Sequence, residues 1–267
     1  MQTLTVSLVQ GDTRWRDPAA NRDYYARLCT SLAGRNSDLI VLPETLFTGF
    51  SNEAVDQAER MDGAGVHWMR DLAHRLDAVV CGSLLIYDGQ QVYNRLLWIR
   101  PDGHLAQYNK RHLFRMAGEH EHFTAGADRL IVELKGWRIL PQVCYDLRFP
   151  VWLRNRGNTE LPGGMEYDLL VFVANWPALR RQAWRTLLRA RAIENLACCI
   201  GVNRVGCDGN GVDYAGDSVV LDAQGRALVE CGMVPQIATA SLELDVLQAY
   251  RKRFPAWLDG DTFQLLD

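Results

Sequence analysis

The chain has 267 residues, is 48% hydrophobic and 23% charged, and carries a formal net charge of −3. That length can bury a large core, as one big domain or two ordinary ones. The acidic balance excludes the concentrated basic surface that nucleic-acid binding needs, and no apolar stretch approaches the length of a membrane span.

The opening, MQTLTVSLVQGD, has no basic region followed by a long apolar segment, so no secretory signal is read and the protein is expected in the cytoplasm. Its LTVSLVQ, from Leu4, is the first strand-like run. PAANRDYYARLCTSLAG follows with a helical pattern, Pro18 standing in first-turn position after Asp17. DLIVLP from Asp38 is strand-like, GVHWMRDLAHRLD from Gly65 helical, and AVVCGSLLIY, VYNRLLWI and HLAQYN are strand-like again. Further strand-like runs begin at Arg129, Trp137, Tyr167, Cys198, Asp217, Arg226 and Ile237, with helical patterns over Arg180 to Asn195 and from Leu244. DGQQ at 88–91, PDGH at 101–104 and DAQG at 222–225 have hairpin-turn chemistry. Strands alternating with helices, then strands joined by short turns, indicate an α/β layered protein with a mixed sheet. No internal repeat or low-complexity linker divides the chain, so residues 1–267 are read as one domain. The tail from Phe254 is rich in aromatic and leucine residues. It either packs on its own domain or docks across a subunit interface.

Seven cysteines form no CxxC pattern and most lie inside apolar runs, which reads as buried, reduced thiols rather than a disulfide frame. Cys144 differs. In LPQVCYDLRFP it stands where an apolar run gives way to polar residues, the place where open α/β sheets hold their ligands. Glu44 ends DLIVLPE and Lys110 follows HLAQYN, each again downstream of an apolar run. With those strands parallel in one sheet, all three would reach one rim. Thiol, carboxylate and ammonium are a complete set for acyl transfer: nucleophile, base and oxyanion partner. The bland alternatives are an inert core cysteine, a solvated loop glutamate and a surface lysine beside Arg111.

Other constellations carry less. No papain-like signature surrounds Cys144, although His112, His120 and His122 lie within one short segment. EHEH at 119–122 is not HExxH and lacks partners at ligand spacing, so no metal is expected. GCDGNG at 206–211 has no following helix pattern and reads as a turn rather than a phosphate loop. Arg181, Arg185 and Arg189 form a like-charge i, i+4 ladder, read as a solvated face or as one compensated by acidic neighbours.

LPE at 42–44, KRHLF at 110–114 and VCYDLRFP around Cys144 resemble the three signature blocks of the nitrilase, or carbon–nitrogen hydrolase, superfamily. ANWPALR, RARAIEN, NRVGCDGNG and GDS extend the resemblance over essentially the whole chain. KRHLFRMAGEH with CYDLRFPVW and ANWP most resembles the bacterial omega-amidase branch, whose members hydrolyse 2-oxoglutaramate-type amides.

The resemblance implies a four-layer αββα sandwich and a homodimer or larger homo-oligomer. It also implies a Glu44–Lys110–Cys144 triad with Glu119 as a second glutamate, and no cofactor. Cys144 would attack the amide carbonyl while Glu44 takes the thiol proton and returns it to departing ammonia. Lys110 and the backbone N–H of Tyr145 would stabilise the oxyanion, and water would then release the acid from a thioester. The substrate expected is a small amide with a distal carboxylate, for which Arg115, Arg148 and Arg180 are candidate partners, with Phe114 and Trp176 as candidate pocket walls. Arg148 has a structural salt bridge as its alternative role. The same triad would also serve a nitrile or an N-carbamoyl compound, and a non-enzymatic reading makes Cys144 an electrophile sensor.

Overall fold

The computed structural model describes residues 2–157 and 159–265. In chain order its main elements begin with β1 (Thr3–Gln10), α1 (Pro18–Leu28), β2 (Leu39–Val41), α2 (Ala64–Leu76), β3 (Val79–Asp88), β4 (Gln91–Ile99) and β5 (Leu105–Asn109). The one-turn helix α3 (Glu119–His122) leads to β6 (Val132–Leu134), β7 (Trp137–Val143), another one-turn helix α4 (Pro150–Leu153), β8 (Leu169–Ala174), α5 (Arg181–Glu194) and β9 (Cys198–Asn203). A small hairpin of β10 (Val205–Cys207) and β11 (Asp213–Ala215) precedes β12 (Val219–Leu221), β13 (Ala227–Glu230), β14 (Gln236–Glu243) and α6 (Leu244–Arg253).

Two six-stranded sheets result, ordered β14-β1-β2-β3-β4-β5 and β13-β12-β9-β8-β7-β6. β1, β2 and β3 run parallel, as do β7, β8 and β9, while the flanking strands are antiparallel. Period-two alternation explains the layering. Leu4, Val6, Leu39, Val41, Val79, Cys81, Leu96 and Trp98 face the second sheet in one core. Their neighbours Val9, Ile40, Leu42, Val80, Leu97 and Ile99 face α1 and α2 in another. β8 is buried at every residue, and its neighbour β9 is covered on its outer side by α5, whose Trp184 and Leu188 lie directly over Gly201. The sequence thus yields the αββα sandwich that its motifs imply.

Several differences are instructive. The Arg129 and Asp217 runs form strands only over Val132–Leu134 and Val219–Leu221, where β6 meets β7 and β12 meets β9 over three paired positions each. The two-residue turn at Lys135–Gly136 makes β6 and β7 a hairpin, with both residues at positive φ. Glu44 and Lys110 follow strands of the first sheet and Cys144 a strand of the second, so their rim is the seam between two sheets rather than the edge of one. The arginine ladder on α5 is compensated by acidic neighbours. Arg181 binds Asp217 through two bonds, and Arg185 and Arg189 share Glu230. In the tail, Trp257 folds back onto its own chain so closely that a Cβ at Gly164 (φ +73°) would meet its ring at 2.5 Å. Phe254, Leu258, Phe263 and Leu265 stay exposed, and residues 266 and 267 of that tail lie outside the described residues. No helix among the described residues is long and apolar enough to cross a membrane.

Candidate active site

Glu44 leaves β2 after Pro43 and is fully buried. One carboxylate oxygen, Oε1, accepts from Lys110 Nζ at 2.9 Å and from Asn94 Nδ2 at 2.8 Å. The other accepts the backbone N–H of Asn175 at 2.7 Å, across the seam. Lys110 leaves β5 and is held at both ends of its backbone, by Asn94 O and by Gly126 N. Glu119, the buried residue of EHEH, grips its ammonium with both oxygens at 2.8 and 2.9 Å and also accepts from Phe114 N. Glu121 and His122 of that segment point to solvent.

Cys144 ends β7 with φ +45°, a left-handed conformation that non-glycine residues rarely adopt. That kink turns the chain out of the sheet and into a short 3₁₀ helix, Cys144–Arg148. Strain of this kind persists only where the surroundings over-determine it, and buried Asp146 supplies the constraint. Its carboxylate accepts from Val143 N, Tyr108 Oη, His112 N and His112 Nδ1, which binds the cysteine turn to the lysine block. The thiol donates loosely to Asn175 O at 3.9 Å and also lies within reach of the Glu44 carboxylate.

The electrostatics follow from burial and a net negative cluster. Two carboxylates and one ammonium already sum to −1 before the thiol ionises. Desolvation pushes the Cys144 pKa well above its ordinary value, and Glu44 adds to this against the opposing pull of Lys110. The resting thiol is therefore neutral. Burial alone would lower the Lys110 pKa, but Glu119 and Glu44 outweigh it and hold the ammonium charged. Glu119 is raised by burial despite Lys110.

Above the thiol lies a cavity of about 40 Å³, room for a few waters. Phe114, Tyr145, Arg148, Trp176 and Arg180 all line it, together with Phe50, Asn175 and Tyr214. Arg148 stacks over the Trp176 ring at 5.0 Å and Arg180 over Phe114 at 5.4 Å. Among the described residues neither arginine has an ion-pair partner, so the salt-bridge alternative for Arg148 is not what the fold contains. Arg115 is the candidate that fails. It sits exposed in the Arg115–Ala117 turn and does not line the cavity, because that turn points its side chain outward. Asn94, Asn175, Asp146, Phe50 and Tyr214 were not anticipated. Asn175 lies inside the quoted ANWP block and Asp146 inside CYDLRFP, but Asn94 and Phe50 carry no local signal.

The comparisons with known proteins fit this geometry. The carbon–nitrogen hydrolase family profile matches residues 5–252. The chain belongs to the carbon–nitrogen hydrolase family. Omega-amidase YafV of Yersinia enterocolitica is 49% identical over 100% of both chains, and 2-oxoglutaramate amidase of Bacillus subtilis is 30% identical over 96% of each. The crystal structure of XC1258 from Xanthomonas campestris is a carbon–nitrogen hydrolase superfamily protein with an arsenic adduct in its active site. It superposes with a TM-score of 0.96, at 57% identity over 99% of this chain and 100% of that one. This hydrolase thus shares both sequence and sandwich with its relatives along their full lengths.

Proposed function

We propose that this carbon–nitrogen hydrolase is an omega-amidase, hydrolysing the terminal amide of small 2-oxo dicarboxylic monoamides such as 2-oxoglutaramate and 2-oxosuccinamate to acid and ammonia. One observation carries the reading: a neutral thiol beside a buried carboxylate–ammonium pair opens into a cavity lined by two guanidinium groups that have no ion-pair partner among the described residues. The substrate's carboxylate takes the arginines and its amide carbon meets the thiol.

Cys144 Sγ forms a bond to the amide carbon as its proton passes to Glu44. Negative charge moves to the amide oxygen, where Lys110 Nζ and the Tyr145 N–H receive it. Such timing avoids a standing thiolate beside a cluster that is already negative. The C–N bond then breaks with proton return from Glu44 to nitrogen, releasing ammonia and leaving a thioester. Water, deprotonated by the same carboxylate, attacks the thioester, and the acid leaves with the thiol restored. Glu119 keeps Lys110 charged and aimed. Nitriles and N-carbamoyl compounds suit the same triad, yet the two guanidinium groups favour a substrate with a distal carboxylate.

Residues 1–267 act as one catalytic domain, placed in the cytoplasm, where the free thiols of this chain stay reduced. The exposed side chains Phe254, Leu258, Phe263 and Val151 form the face on which copies associate into a homodimer or larger oligomer. The deciding experiment is ammonia release from 2-oxoglutaramate by wild type and Cys144→Ala. Turnover by wild type alone is expected. No turnover by wild type removes this substrate class, and equal turnover by both removes the thiol.

A further inference from the structure

The backbone carbonyl of Asn175 is a buried acceptor whose one hydrogen-bond partner among the described residues is the Cys144 thiol, at a loose 3.9 Å. Buried carbonyls are ordinarily better satisfied than this. The peptide unit that carries it is nevertheless held from every side. Its N–H, that of Trp176, donates to Asn203 Oδ1 at 2.8 Å. In a planar trans peptide the N–H and C=O point in opposite directions, so anchoring one fixes the aim of the other. Ahead of this unit, Asn175 N and Nδ2 are bound to Glu44, and Nδ2 also to Thr45. Behind it, Asn203 Nδ2 donates to Trp176 O and to Gly216 O, while its Oδ1 also accepts from Arg204 N. Asn203 is buried, and both its donors and both its acceptor positions are taken.

We propose that the Asn175 carbonyl is the acceptor for the substrate's amide N–H, and that Asn203, at the end of β9, is the positioning residue that aims it. The inference rests on the amidase reading above and deepens it. With the amide oxygen toward Lys110 and the Tyr145 N–H, the nitrogen lies on the opposite side of the reacting carbon, toward Glu44 and Asn175. A carbonyl can only accept. It favours a group that carries N–H throughout addition and departure, and gives nothing to an ester oxygen at the same place. Selectivity for primary amides is thereby set by a backbone atom and by the side chain behind it.

The test compares 2-oxoglutaramate with the omega-methyl ester of 2-oxoglutarate in wild type, Asn203→Leu and Asn203→Ser. Each variant is read as its own amide-to-ester ratio of kcat/KM, from which the fraction of folded enzyme cancels. Asn203→Leu is expected to lower the ratio about ten-fold or more, with Asn203→Ser in the same direction. Equal losses on both substrates would make Asn203 merely structural and overturn the proposal. If neither variant folds, wild type decides alone. It should hydrolyse the amide at least as fast as the intrinsically more reactive ester, and a clear preference for the ester overturns the inference. Absence of wild-type turnover on both compounds overturns the functional reading and this inference with it, an outcome distinct from an unchanged ratio.

Discussion

Glu44, carried by the first sheet, accepts the backbone N–H of Asn175, carried by the second, at 2.7 Å. The proposed base is therefore held by the very seam it works in. Its other oxygen is shared between Lys110 and Asn94, so the carboxylate has no freedom to rotate away from the thiol. The two sheets could not slide past one another without unmaking this set of bonds, and the order of the site is in that sense the order of the sandwich.

Glu44→Gln tests the base. A glutamine has one acceptor oxygen, so its NH₂ must face either the Asn175 N–H or the donors of Lys110 and Asn94. We expect a stability loss of about 1–3 kcal/mol from that mismatch. Turnover should fall by about 10²–10⁴, because the amide cannot take the thiol proton. Thermal melting and steady-state ammonia release separate the two effects. Near-normal kcat at neutral pH would remove Glu44 from the role.

Arg148→Gln and Arg180→Gln test the carboxylate end. Each removes one guanidinium from the cavity mouth while leaving the thiol and its partners in place. For 2-oxoglutaramate, kcat/KM is expected to fall about 10–100-fold, mainly through KM, since a charge-assisted bond to the carboxylate is worth about 1.5–3 kcal/mol. Butyramide, with no carboxylate, should change less than about three-fold by the same measure. Parallel losses on both substrates would show that the arginines shape the pocket instead of reading charge.

Much of this was legible in the chain because the proposed catalytic residues sit at strand ends, where apolar runs break off. Glu44, Lys110 and Cys144 announce themselves that way. Period-two alternation in β1 to β4 likewise fixes which face meets the second sheet. What the chain does not announce is which strands share a sheet. That depends on crossover connections and on long-range pairs such as β1 with β14, and no local pattern encodes them. Asn94 illustrates the limit. It sits mid-strand in VYNRLLWI, and only the register that sets Asn94 opposite Leu85 of β3, the strand that also pairs with β2 before Glu44, turns it into a partner of the carboxylate. Arg115 illustrates the converse, a residue inside a signature block whose local turn sends it to solvent.

Alkaline stability should follow the buried thiols. Burial pushes Cys29 and Cys198 up to about 12 and Cys231 to about 11, and raises Cys81, Cys144 and Cys199 as well. A raised folded-state pKa means that the native chain holds its protons where the unfolded chain, near 8.5, has released them. Stability is then complete below about pH 8.5 and declines as pH rises toward 11–12, by at most about 1.4 kcal/mol per thiol per pH unit. Raised Lys110 acts in the same direction. Urea midpoints at pH 7, 8 and 10 should be level for the first two and clearly lower at the third. A level curve through pH 10 would mean that the thiols are not desolvated as the fold requires.

Gly126 provides the sharpest local test of how Lys110 is placed. Its N–H donates to Lys110 O at 2.9 Å, and the chain passes so close to β5 that a Cβ there would stand 2.2 Å from Asn109 O. That contact is with backbone, which cannot swing aside as a side-chain tip can. Gly126→Ala must therefore push apart the two segments that hold the lysine, at an expected cost of about 1–3 kcal/mol from overpacking. Because Lys110 moves with Asn109, kcat should fall well beyond what the loss of folded enzyme explains, while KM for 2-oxoglutaramate changes little, since Arg148 and Arg180 stand on other elements. A urea unfolding curve gives the folded fraction, and turnover per folded chain gives the remainder. Normal turnover per folded chain would show that the lysine tolerates displacement, and that its tight grip by Glu119 serves the fold rather than the reaction.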